Sequence, residues 1–237
     1  MRVVAIIPAA GEGRRMGGTV EKQFLRLQGM PVLAHTLEVF NKSPEVDGVV
    51  LVVASQQRQA LKERVLGPYP CRKLLGVVDG GSERQDSVAR GLEAVPGDCE
   101  LVVVHDGVRP LVSVDLLGAV LEAANRHGAA LAAVPAGDTV KRAKEEVVAE
   151  TLERETIWLA QTPQAFQASL LRLAYEKASR DKMMVTDDAA LVESLGVSVH
   201  LVPGSPENIK VTTPTDLIIA EALLKKREQE TEGRLDN

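Results

Sequence analysis

Ile6-Ile7-Pro8-Ala9-Ala10-Gly11-Glu12-Gly13-Arg14-Arg15-Met16, followed six residues later by Lys22-Gln23, is the stretch from which the fold is read. The apolar run Val3 to Ile7 predicts a strand. It feeds a loop of small residues whose backbone N–H groups can approach an anion, while Arg14, Arg15 and Lys22 put fixed positive charge beside it. A turn that only joins a strand to a helix accounts for the glycines but not for three cations within nine residues. Such a loop suits a triphosphate.

Two other phosphate-binding loops do not fit. In a dinucleotide-binding GxGxxG turn the third glycine would fall where Met16 stands, and the second strand ends Val52-Val53-Ala54-Ser55 without an acid for a ribose. A Walker loop needs Gly-Lys-Ser or Gly-Lys-Thr at a fixed distance after its first glycine, and neither follows Gly11.

Working outward, β-branched runs recur with helical patterns between them: Arg2 to Ala9, Gly48 to Ala54, Leu74 to Val78, Leu101 to His105, Ala129 to Pro135 and Ser198 to Val202. The alternation predicts an α/β, Rossmann-like fold, a mostly parallel sheet with helices on both faces. Pro31 opens a helix to Asn41, Ser82 precedes one over Glu83 to Ala94, and Thr213-Pro214-Thr215-Asp216 supplies a cap, a first-turn proline and an acid three residues beyond the cap. Thr139 to Arg142 and Val147 to Thr151, joined by the charged turn Ala143 to Glu146, read as a projecting β-hairpin arm at about residues 137–155. An exposed hairpin is marginal alone, so a second subunit is its expected partner, with a decorative surface hairpin as the alternative.

The 237 residues suit a single domain over 1–228, and the polar run from Lys225 onward predicts a disordered tail at 229–237. With 45% hydrophobic but only 3% aromatic residues, the core is aliphatic. No apolar run approaches the roughly 20 residues of a membrane span, and the chain enters a strand without a leader pattern, so the expectation is a cytoplasmic protein with no membrane contact. A net charge of −5 argues against nucleic acid as a partner, and Cys71 and Cys99 have neither the spacing nor the neighbours of a disulfide framework or zinc site.

In an open parallel sheet the ligand lies beyond the carboxyl ends of the strands, so the residues following each strand belong together. They are Pro8 to Lys22; Asp79-Gly80-Gly81-Ser82 with Ser87; His105-Asp106-Gly107-Val108-Arg109-Pro110; Gln161-Thr162-Pro163-Gln164; and Asn208-Ile209-Lys210-Val211-Thr212. Gly80, Gly81, Ser82 and Ser87 surround a helix start where donors could meet a base or a phosphate, although a serine there is more often a cap. Asp106 follows a doubly buried strand and stands at the mouth of the site, able to hold a substrate hydroxyl or a divalent metal. His105 has no nucleophile partner and reads as structural. Arg154 and Lys210 are surface cations taken singly and gain meaning only in this company.

Together, Pro8-Ala9-Ala10-Gly11-x-Gly13-x-Arg15-Met16, Lys22-Gln23, Asp79-Gly80-Gly81, Asp86-Ser87-Val88, His105-Asp106-x-x-Arg109-Pro110, Thr139-Val140-Lys141-Arg142, Thr162-Pro163-Gln164 and Asn208-Ile209-Lys210-Val211-Thr212 resemble the 2-C-methyl-D-erythritol 4-phosphate cytidylyltransferase family, in order, from Ile6 to about Ala222. The opening loop alone would indicate only the wider nucleotidyltransferase superfamily. The resemblance implies transfer of CMP from CTP to the polyol phosphate with release of pyrophosphate, in non-mevalonate isoprenoid synthesis. It implies catalytic cations at Arg15, Lys22, Arg154 and Lys210. Nucleotide contacts fall at Pro8, Ala9, Ala10, Gly11, Gly13, Gly80, Gly81, Ser82, Ser87, Asp106 and Gly107. Contacts to the acceptor fall at Asp106, Arg109, Thr139, Lys141, Arg154, Thr162 and Lys210, with Arg109, Thr139 and Lys141 acting across a homodimer formed through the arm. Mg²⁺, or another divalent cation, would be held mainly by the CTP phosphates, with Asp106 as its protein ligand.

Glu21 stands where the family usually has Pro, Gly107 where it has Ala, and Ser82 where it often has Asp; none of these removes a cation. Two alternatives stay open on the residues alone. One is a cytidylyltransferase for another polyol phosphate such as ribitol 5-phosphate. The other is a noncatalytic nucleotide-sensing protein, which would have no need of Arg154 and Lys210.

Overall fold

The computed structural model describes residues 1–11 and 21–235, without the side chains of 231–235. Its centre is β1 (Val3–Pro8), whose residues alternate between two cores. Val3, Ala5 and Ile7 face one cluster, built with Leu33, Leu37 and Phe40 of α1 (Val32–Lys42). Val4 and Ile6 face the other. A strand buried on both faces must be apolar throughout, which is why Val3 to Ile7 carries no polar residue.

The short strands β2 (Arg26–Leu27) and β3 (Met30–Pro31) form a small hairpin before α1. After α1 come β4 (Gly48–Val53), the short α2 (Arg58–Leu61), β5 (Leu74–Asp79), α3 (Arg84–Glu93) and β6 (Leu101–Val104). Both β4 and β6 lie parallel to β1, on opposite sides of it, and β5 is parallel to β4. The chain thus winds outward to β5, then returns across the sheet, so the direction of winding reverses between β1 and β6. That reversal opens a crevice at the carboxyl ends of the strands.

The remaining elements are α4 (Val114–His127), β7 (Ala129–Pro135), β8 (Lys141–Lys144), β9 (Val147–Thr151), β10 (Trp158–Gln167), α5 (Ala168–Asp181), α6 (Asp188–Glu193), β11 (His200–Pro203) and α7 (Pro214–Leu235). The sheet order is β11-β7-β10-β6-β1-β4-β5. Helices α1 and α4 pack on the first core, α3, α5 and α6 on the second. The expected α/β sheet, mostly parallel and covered on both faces, is what forms.

Three details depart from the sequence reading. The segment Gln161 to Gln164 is not a loop after a strand but part of β10, antiparallel to both β6 and β7, with an irregularity between Ala160 and Gln164 and a cis Thr162–Pro163 bond. The arm's strands are Lys141–Lys144 and Val147–Thr151, so its turn shrinks to Glu145-Glu146, both at positive φ (48° and 65°). The ladder continues through Ala143 and Lys144 because the two-residue turn matches the twist of paired strands. Finally, α7 is helical to Leu235, through most of the segment read as the tail. Its start is as read: Thr213 Oγ1 accepts from Asp216 N–H at 3.2 Å while Asp216 Oδ2 accepts from Thr213 N–H at 2.8 Å.

Candidate active site

The crevice is a cleft of about 650 Å³, its walls contributed by the ends of β1, β4, β5 and β6 and by the segment before α7. Pro8, Ala9, Ala10 and Gly11 form one wall and Gly80, Gly81, Ser82 and Ser87 another. Lys22, Arg84, Asp106 and Lys210 supply its charge, together with Glu83. Gly80 and Gly81 each have a steric reason: a Cβ on Gly80 would stand 2.4 Å from the Ala10 Cβ, and one on Gly81 would stand 2.1 Å from the Asp86 Cβ. At Gly11 an added Cβ would sit 3.6 Å from the Lys22 ammonium, which places that cation against the glycine-rich wall.

Helix α3 begins differently from the sequence reading. The cap is Glu83, whose N–H donates to Asp86 Oδ2 at 3.1 Å; the Ser82 hydroxyl donates to the same oxygen at 2.6 Å. Ser87 Oγ accepts from Gly81 N–H and donates to the Glu83 carbonyl, both at 3.1 Å, so it braces the Gly80-Gly81 wall.

Asp106 is the electrostatic centre. Lys210 Nζ lies 2.7 Å from Oδ2, Arg84 Nε 3.2 Å from Oδ1, and Arg109 Nε 3.6 Å from Oδ2. Burial alone would push this carboxyl up; the Arg84, Lys210 and Arg109 charges overcome that and hold it well below the usual carboxylate range. Arg84 continues inward to Asp188 at 2.9 Å, and Tyr175 donates to Asp188 Oδ1 at 2.5 Å. Burial, with the Asp188 carboxylate, raises the Tyr175 phenol, fixing it as a donor.

His105 is spent on structure. Nε2 faces the Arg109 carbonyl at 3.2 Å and must donate to it, so in the neutral ring Nδ1 accepts from the Thr162 hydroxyl at 3.0 Å. Thr162 Oγ1 in turn accepts from Asp106 N–H at 3.1 Å. Buried Asn208 donates to the Thr162 carbonyl at 2.8 Å, and its own carbonyl accepts from Arg109 at 2.7 Å. Through these bonds Thr162 and Asn208 fix the loops that carry Asp106 and Lys210.

The fold therefore gathers the predicted residues Pro8, Ala9, Ala10, Gly11, Lys22, Gly80, Gly81, Ser82, Ser87, Asp106 and Lys210 around one cleft. Gly107 packs behind it, where a Cβ would meet Leu33 Cδ1 at 3.0 Å, and Arg109 lies half-buried beside Asp106. Thr139, Lys141 and Arg154 are exposed and are not among the residues lining the cleft. Lys141 donates to Thr151 Oγ1 at 2.6 Å, and Arg154 reaches the Gly137 carbonyl at 3.3 Å. Gly13 and Arg15 lie outside the described residues. The sequence reading overlooked Arg84, Tyr175 and Asp188. Arg84 did leave a signal, because a cation in the first turn of α3 faces the positive end of the helix dipole and needs a reason to be there.

As a metal ligand Asp106 does not fit. Its two oxygens are taken up by Lys210, Arg84 and Arg109, and the described residues contain no group of three His, Cys, Asp or Glu able to hold an ion.

A glycine-walled cleft at the winding reversal, charged by Lys22, Arg84 and Lys210, suits a nucleotidyltransferase. The chain belongs to the 2-C-methyl-D-erythritol 4-phosphate cytidylyltransferase family, whose sequence model matches residues 3–226. It is 51% identical over 228 residues to the enzyme of that name from Syntrophus aciditrophicus, covering 96% of this chain and 97% of that one. The Geobacter metallireducens enzyme of the same name is 46% identical, over 96% of this chain and 99% of its own. Among solved structures, that of the Thermus thermophilus cytidylyltransferase superposes with a TM-score of 0.76 at 39% identity, covering 95% of this chain and all of the other. The Anaerococcus prevotii 4-diphosphocytidyl-2C-methyl-D-erythritol synthase reaches 0.83 at 33%, over 94% and 96%.

Proposed function

We propose that the chain transfers CMP from CTP to 2-C-methyl-D-erythritol 4-phosphate, giving the CDP-alcohol and pyrophosphate for isoprenoid precursor synthesis. Family membership over nearly the whole chain carries the reaction. The observation that carries the site is the meeting of Lys22, Asp106 and Lys210 in one cleft. The acceptor's phosphate oxygen bonds to the α-phosphorus of CTP as the bond to the pyrophosphate oxygen breaks. That nucleophile is already anionic near neutral pH, so no side chain has to take its proton. The protein's task is to align two anions that repel one another and to neutralise the charge that builds up on the leaving group.

Backbone donors around Gly11, Gly80 and Gly81 hold the nucleotide. Arg15 and Lys22 neutralise the triphosphate, and Lys210 with Arg154 positions the acceptor phosphate. The triphosphate oxygens would hold most of the coordination of a divalent cation, Mg²⁺ in this reading, which would supply further neutralisation of charge on the leaving group. The arm completes the site across a homodimer, which brings Thr139 and Lys141 to the partner's acceptor; Arg109, engaged with Asp106 and the Asn208 carbonyl of its own chain, serves that chain's site. Supporting this are the exposed arm residues Val147 (69%) and Val148 (58%), with Trp158 and Leu159 exposed at the start of β10. No helix is long and apolar enough to cross a membrane among the described residues, and a cytoplasmic location is proposed.

Pyrophosphate release from CTP with each acceptor in turn tests the substrate. Turnover on methylerythritol phosphate should exceed that on ribitol 5-phosphate by at least about a hundredfold, as expected when acceptor hydroxyls meet a site built for them. Equal turnover on both would contradict the assignment.

A further inference from the structure

Three cations surround Asp106, but their anchoring differs. Arg84 is held from behind by Asp188 at 2.9 Å, and Arg109 is held by the Asn208 carbonyl at 2.7 Å. Lys210 approaches from the open side of the cleft: its side chain is 37% exposed, against 27% for Arg84 and 12% for Arg109. It is also the most compact charge of the three, an ammonium on a flexible stem, whereas each guanidinium is a rigid planar fork.

An acceptor phosphate that recruits Lys210 must draw it away from Asp106. If Lys210 were the only counter-charge, its departure would strand a buried carboxylate, and the cost would be subtracted from phosphate binding. Arg84 does most to remove that cost: when Lys210 leaves, it keeps its hydrogen bond to Asp106 at 3.2 Å, whereas Arg109 Nε stands 3.6 Å away and makes none. Asp188 in turn keeps Arg84 in the wall and out of the path of the phosphate.

We propose that Arg84 is a positioning residue which, by staying paired with Asp106, releases Lys210 to bind the acceptor phosphate. The inference rests on the reading of Lys210 as the acceptor-phosphate cation and assigns to that site a residue which never touches the acceptor. Tyr175 and Asp188 belong to the same device, one hydrogen bond further from the cleft.

The test measures KM for CTP and for the acceptor separately in purified variants, with melting temperature recorded for each. Lys210→Ala comes first: it should raise the acceptor KM by about tenfold or more, the scale of one lost charged hydrogen bond. If it does not, the reading of Lys210 fails, whatever Arg84 does. Given that result, Arg84→Met should raise the acceptor KM by about tenfold while the CTP KM moves less than about threefold, and Arg84→Lys should restore at least about half of the loss. Because Arg84→Met leaves Asp188 facing no guanidinium, while Asp106 keeps Arg109, the double variant Arg84→Met, Asp188→Asn is measured as well and should show the same acceptor defect in a folded protein. Equal rises in both KM values would mean that Arg84 binds the nucleotide directly. A wild-type acceptor KM in the double variant, or no rescue by lysine, would also overturn the proposal.

Discussion

The Thr162 hydroxyl donates to His105 Nδ1 at 3.0 Å, tying the antiparallel strand β10 to the end of β6 at the residue immediately before Asp106. The buried ring is completed by the Arg109 carbonyl at Nε2 and stacks obliquely on Phe40, 5.2 Å between centroids. Its role is to hold the Asp106 loop, not to move protons.

Stability should therefore depend on pH through His105. Burial lowers this imidazole from 6.5 to about 4, so the folded protein resists a proton that the unfolded chain accepts. Above pH 6.5 neither state is charged and the contribution is complete; it declines as pH falls from 6.5 and levels off below about 4. The full difference is about 3 kcal/mol. Urea unfolding at pH 7.5 and 4.5, compared between the parent and His105→Gln, measures it, and the variant should lose less stability over that interval. Parallel pH profiles would show that His105 is not the group responsible.

Lys22→Ala and Arg15→Ala should lower kcat by about a hundredfold or more, because charge on the triphosphate builds up chiefly in the transition state. The CTP KM should change far less. Steady-state kinetics that show a raised KM with kcat intact would mean that these cations serve ground-state binding alone.

Deletion of Val140 to Ala149 should yield monomers that bind CTP almost as well as the parent but the acceptor poorly, since the glycine wall lies outside the arm and Thr139 and Lys141 do not line that cleft within one chain. Sedimentation, with binding of each substrate, gives the answer. A parent protein that is monomeric at micromolar concentration and fully active per chain would remove the homodimer from the account.

Chelation should abolish turnover while leaving the melting temperature of the unliganded protein unchanged, because the described residues build no metal site of their own. A fall in melting temperature on adding chelator would point to a protein-held ion, and undiminished turnover in chelator would remove the divalent cation from the reaction.

The sequence makes the sheet legible wherever burial on both faces forces apolar runs, as in β1, β4 and β6. Strand β10 escapes that logic: Trp158-Leu159-Ala160-Gln161-Thr162-Pro163-Gln164 mixes a proline and two glutamines into a strand. Gln164 is compatible with the buried position because Asp187 and the Ala189 N–H satisfy its amide, partners supplied by a segment distant in sequence. The cleft is legible for the same reason as β1, since residues after parallel strands share one end of the sheet. Arg84, Asp188 and Tyr175 are not, because a buried ion pair between α3 and α6 depends on how those helices pack, which no local pattern encodes. The arm is visible as a hairpin, but its charge conceals the turn: Ala143 and Lys144 look like loop residues and instead extend the ladder.

The most direct test of the account counts products. Purified protein with CTP and 2-C-methyl-D-erythritol 4-phosphate should release one pyrophosphate for each CDP-alcohol formed, both quantified by phosphorus NMR, and should release none from CTP alone. Pyrophosphate release at the same rate without acceptor, or nucleotide binding with no product at all, would contradict it.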